Sequence, residues 1–108
     1  MSWDAAVFRT RTRSYVSFDP ADIDPIPVDV VRDAICTEFP NTDVSDPEWM
    51  VFDNDKASVI FSITPDQYIS LNIHLVEDDY EAELIKQIRR FANKLGCRIF
   101  DFTQFEYI

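Results

Sequence analysis

The spacing of hydrophobic residues changes along the chain, and each change marks an element. From Asp78 to Cys97, apolar residues Leu84, Ile85, Ile88, Phe91, Ala92 and Leu95 recur every three or four positions, one stripe of an α-helix. Asp78 or Asp79 is placed to cap its free N–H groups, and Glu81 and Glu83 suit the positive first turn. Lys86, Arg89, Arg90 and Lys94 crowd its negative end, and Gly96, the only glycine, stands where a helix closes in the left-handed conformation. An earlier helix is predicted from Val28, Val31, Ile35 and Phe39, widened by Val30 and Ala34, with Pro27 as its first residue and Pro40 ending it.

Elsewhere the period falls to two. In Tyr68 to Val76, Ile69, Leu71, Ile73 and Leu75 point one way and Tyr68, Ser70, Asn72 and His74 the other, so one sheet face is buried and the other polar. Trp49 to Phe52 and Ala57 to Ile63 read as strands joined by a hairpin turn, Asp53-Asn54-Asp55-Lys56, with a further turn at Thr64-Pro65-Asp66-Gln67. Asn41 to Glu48 reads as an acidic loop. Ala5 to Phe8 is a strand whose continuation through Arg13 puts Arg9, Arg11 and Arg13 on one face. That pattern suits a charge-protected edge strand, with an anion or acidic-surface contact as the alternative.

Ser14 to Phe18 is a candidate strand, and Asp19 to Pro27 is irregular because it holds Pro20, Pro25 and Pro27. Arg98 to Phe102 is a strand that Thr103 to Ile108 either continues or pairs with on its return. The order β-α-β-β-β-α-β predicts one α+β domain over residues 1–108. Its expected form is a two-layer sandwich, a mainly antiparallel sheet with both helices on one face, and ferredoxin-like is the nearest named topology.

Nine Phe and four Tyr in 108 residues exceed what disorder allows and leave aromatics for a core and for a binding face. The net charge of −10 argues against general nucleic-acid binding, which needs a cationic surface, and suits either a basic protein partner or simple solubility. The charge is segregated: residues 14–85 carry 17 acids against Arg32 and Lys56, a net −15, while the flanks carry +2 and +3. Many of these acids fall in predicted loops, at Asp19, Asp22 and Asp24, at Asp43, Asp46 and Glu48, and at Asp53 and Asp55. Loops of one sign on a rigid scaffold steer a basic partner, and Trp49 among them supplies an aromatic anchor. The candidate partner-binding set is therefore Asp43, Asp46, Glu48, Trp49, Asp53 and Asp55.

Catalytic signals are sparse. His74 is the only histidine, so a triad-type site must use it, yet nothing in the sequence places a nucleophile beside it. An ordinary surface histidine is expected, with a small enzyme using His74 and nearby carboxylates as the alternative. Asp53-Asn54-Asp55 starts like a calcium loop but lacks its glycine and final glutamate, and one glycine cannot build a phosphate loop. No metal or cofactor is expected. Cys36 and Cys97 lack zinc or redox-pair spacing and read as reduced thiols, a disulfide requiring that the fold bring them together. The N-terminal MSWDAAVFRTRTR has no apolar run of export-signal length and no segment reaches a membrane span, which predicts a cytoplasmic protein.

From Ile88 to Phe102 an amphipathic helix ending IRRFANKLGC runs straight into a strand, RIFDF, carrying Asp101. With the small size and acidity, this ending resembles the small acidic bacterial immunity proteins that neutralise polymorphic or contact-dependent toxins. The resemblance implies a non-catalytic protein that occludes a basic toxin such as a nuclease, and it assigns no role to any single residue. An acidic inhibitor imitating nucleic-acid phosphates is a further reading, and it requires one continuous stripe of carboxylates.

Overall fold

The computed structural model describes residues 3–11, 22–63, 68–104 and 106–108. The strand expected at 14–18, the turn expected at 64–67, Arg13 and Asp19 lie outside these residues. In chain order the elements are β1 (Trp3–Thr10), β2 (Ile23–Asp24), α1 (Val28–Glu38), β3 (Asp43–Asp46), β4 (Trp49–Asp53), β5 (Ser58–Ile63), β6 (Ile69–His74), α2 (Glu81–Lys94), β7 (Arg98–Asp101) and β8 (Glu106–Tyr107). The fold is α+β. Seven strands form one sheet in the order β3-β4-β5-β6-β1-β7-β8, with β2 paired to the end of β1. All the pairings are antiparallel.

The strand expected at an edge lies inside the sheet. Ala5 to Phe8 are buried as an unbroken run, because β6 and β7 flank β1 and apolar clusters cover both its faces. The main cluster gathers Ala5 and Val7 with Phe61, Leu71 and Ile73 of the sheet, Val31 and Ile35 of α1, and Leu84, Ile88 and Phe91 of α2. Phe39 sits at its centre, 5.2 Å from both Phe52 and Phe61 and 6.3 Å from Phe91 between ring centroids, all edge-on. A smaller cluster of Ala6, Phe8, Ile23 and Phe100, with Tyr68, Phe102 and Tyr107 against it, covers the other face of β1 and β7.

The helices follow their stripes with local departures. Pro27 is the N-cap of α1 and not its first residue, and Val30 turns outward, 46% exposed. Neither Asp78 nor Asp79 caps α2. Tyr80 holds the N-cap position without a side-chain bond, its carbonyl accepts the Leu84 N–H, and Asp79 faces Lys56 at 3.8 Å. Ile85 is only half-buried, at the margin of the stripe. Gly96 has φ of +68°, as its place after the helix requires. Glu38 of α1 and Arg90 of α2 join the helices by a 2.6 Å ion pair.

Two strand expectations change, and at the C-terminus one of two alternatives is realised. Asp43 to Asp46, read as loop, is a strand at one edge of the sheet. Leu75 does not continue the alternation of β6: its φ is +56° and it is 75% exposed, so Val76 takes the next core position. The C-terminal segment returns as β8 alongside β7.

Candidate functional site

Residues opposite one another in an antiparallel sheet share a face, so the register assembles the surface. One row runs from Asp46 through Trp49, Ser62, Ser70, Ala6 and Phe100 to Tyr107. The next joins Asp43, Val51, Ile60, Asn72 and Asp4, and a third joins Asp53, Ser58 and His74. The alternating residues Met50, Phe52, Val59, Phe61, Leu71 and Ile73 enter the core shared with the helices. These rows therefore form the face that carries neither helix.

Four of the six residues singled out in the sequence, Asp43, Asp46, Trp49 and Asp53, lie along β3 and β4 on this face. Asp43 and Asp46 are three residues apart, which in a regular strand would put them on opposite sides. The pairing register shifts between them, so the extra residue of a bulge returns both to one face. Glu48 lies in the β3–β4 turn, its N–H donating to Asp46 Oδ1 at 2.9 Å, and Asp55 lies in the β4–β5 turn. The six residues thus border β3 and β4 but do not converge on a pocket. The other predicted acidic group does not join them: Asp24 pairs with β1 and meets Arg9 at 3.0 Å.

The five acids are exposed, and among the described residues none forms an ion pair. The cations that do pair are engaged elsewhere, Arg9 with Asp24, Lys56 with Asp79, Lys86 with Glu83 and Arg90 with Glu38. Asp43 Oδ1 accepts the Ser45 hydroxyl at 2.6 Å and its N–H at 3.0 Å, and these two bonds, the hydroxyl first, hold its carboxyl below the ordinary aspartate value of 3.8. A depressed carboxylate contributes stability above its unfolded value and loses it as pH falls through the folded value, so these bonds within β3 weaken only in acid. Trp49, 51% exposed, stands opposite Asp46.

The middle of the face holds a polar chain that sequence reasoning saw only in part. Asn72 Nδ2 donates to Asp4 Oδ1 at 3.0 Å, and His74 Nδ1 lies 3.2 Å from Asn72 Oδ1. The alternation of β6 announced Asn72 and His74, whereas Asp4 joins them only through the non-local pairing of β1 with β6. Asn54, in the turn that begins like a calcium loop, accepts the N–H groups of Lys56 and Ala57, both at 2.8 Å, and so closes the hairpin. Among the described residues no group of three or more His, Cys, Asp or Glu side chains is placed to hold a metal, and no helix is long and apolar enough to cross a membrane. Cys36 is exposed and Cys97 buried, and both are free thiols. No family model, curated protein or solved structure matches this chain.

Proposed function

We propose that this chain is a non-catalytic protein-binding domain, of the immunity type, that neutralises a basic toxin such as a nuclease by presenting it the acidic end of the helix-free sheet face. One observation carries the reading: Asp46 stands opposite the exposed Trp49, and Asp43 and Asp53 lie further along the same face, without an ion-pair partner among the described residues. Such a surface attracts a cationic protein over a distance and offers an aromatic ring to desolvate on contact. The toxin is thus a partner that acts in the cytoplasm, where this domain meets it. In the same reading the fold is a two-layer sandwich with a ferredoxin-like centre. The order β5-β6-β1-β7, with α1 between β1 and β5 and α2 between β6 and β7, supports that description.

The nucleic-acid-mimicking reading is less favoured, since Trp49, Val51 and Ile60 interrupt the carboxylates that it needs as a continuous stripe. An enzyme using His74 rests on the Asp4–Asn72–His74 chain, but that chain lies across an open sheet face. The test is affinity capture from the native host with the wild-type domain and with a variant carrying Asp43, Asp46, Asp53 and Asp55 as Asn and Glu48 as Gln. A basic protein retained by the first and lost by the second is expected. Retention by both would contradict the docking reading.

A further inference from the structure

On the opposite side of the sheet, a cleft of about 280 Å³ opens between α2 and the ends of β1 and β7. We propose that it binds an organic cation with an apolar stem, an alkylguanidinium or alkylammonium group, with Asp101 as the counter-ion. This does not rest on the docking reading, which concerns the other face.

The argument begins with Asp101. It pairs with Ala5 across β1 and so points to the helix side, where it is only 8% exposed. One carboxylate oxygen accepts the Thr103 N–H at 2.8 Å, and among the described residues the other has no hydrogen-bond or ion-pair partner. That second oxygen keeps contact with the solvent of the cleft, so a positive group entering the cleft can replace the water there with a charge-assisted hydrogen bond. Arg89 lines the same cleft but makes no ion pair with Asp101.

The walls describe the rest of the ligand. Trp3 and Ile85, both half-buried, supply an apolar lining and an indole face suited to a cation. Glu81, one turn before Ile85 on α2, adds a second carboxylate, so an anion attracted by Arg89 would meet two acids. The volume lies near the small end of ligand sites, roughly 300–1,000 Å³, which suits a single cationic group and a short chain.

The test uses the full chain with Trp49→Phe, leaving Trp3 as the fluorescent reporter. The probes are butylguanidinium and its neutral isostere N-butylurea. Butylguanidinium is expected to shift Trp3 emission saturably, and butylurea to bind about tenfold or more weakly, the loss expected when a charge-assisted hydrogen bond is removed. Asp101→Asn should weaken butylguanidinium by a similar factor. If that variant does not fold, the comparison of the two probes on the parent protein still decides. Equal binding of both probes, no response to either, or full affinity in Asp101→Asn overturns the proposal. Displacement of butylguanidinium by acetyl-Ala-Arg-Ala-amide supports it with a protein's arginine as the natural source; binding of butylguanidinium without displacement supports it with a free small cation.

Discussion

Asp46 stands opposite Trp49 in the outermost strand pair, setting a carboxylate beside a half-exposed indole on the open face of the sheet. Neither residue contributes to the core, so their juxtaposition serves the surface. Trp49→Ala is expected to leave the thermal midpoint nearly unchanged while weakening capture of a partner by about 2 kcal/mol or more, as for an aromatic hot spot. Calorimetric titration against the captured partner and a thermal melt of the free variant check this.

The core makes the opposite prediction. Phe91 is fully buried, with its ring 5.7 Å from Phe61 and 6.3 Å from Phe39. Phe91→Ala should cost about 3–5 kcal/mol through lost burial and a cavity. Denaturant unfolding measures it, and a loss well below 1 kcal/mol would mean that the cluster is not organised around this ring.

The features legible in the sequence are those that repeat locally. The stripe of α2, its closing Gly96 and the alternation of Ile69, Leu71 and Ile73 each state a burial pattern within a few residues. Strand β3 was hidden because its bulge breaks the period of two and its four residues, Asp-Val-Ser-Asp, look like a turn. The arginines misdirected the reading of β1, since they begin where its apolar run has ended. Arg9 and Thr10 pair with β2, while Ala5 to Phe8 are enclosed on both faces. The acidic residues of the candidate surface were visible one by one. That Asp43, Asp46 and Asp53 share a face, and that Asp4 meets Asn72, depends on the register of distant strands.

Leu75 is a local conflict with a measurable consequence. A leucine at φ of +56° and 75% exposure pays for a left-handed backbone without burying its side chain. The strain relieved by Leu75→Gly, about 1–2 kcal/mol, exceeds the entropic penalty of glycine, about 0.5–1 kcal/mol. The variant should therefore melt at the same temperature as wild type or a few degrees higher. A clear drop would show that Leu75 is buried in the working protein.

The two thiols should separate in reactivity. Cys36 is exposed on α1, whereas burial, opposed by the nearby Arg9, pushes the Cys97 thiol up to about 12. At neutral pH Ellman's reagent should modify one thiol quickly and the second only after denaturant is added, because the thiolate is the reacting species. Two equally fast thiols would contradict the burial of Cys97.

The central claim is that the acidic end of the sheet face docks a basic protein, and association kinetics tests it most directly. Attraction between exposed charges is screened as the Debye length shrinks from about 10 Å at 0.1 M salt to about 3 Å at 1 M. Asp43, Asp46, Asp53 and Asp55 changed to Asn, with Glu48 to Gln, should leave the fold intact, since these side chains are exposed and the hydrogen bonds of Asp43 and Asp46 reach only two residues along the chain, where an Asn oxygen can still accept them. Surface plasmon resonance against the captured partner, at low and high salt, should give a wild-type on-rate that falls steeply with salt. The five-fold variant should start slow and respond little. An on-rate indifferent to both salt and the five substitutions would contradict the account.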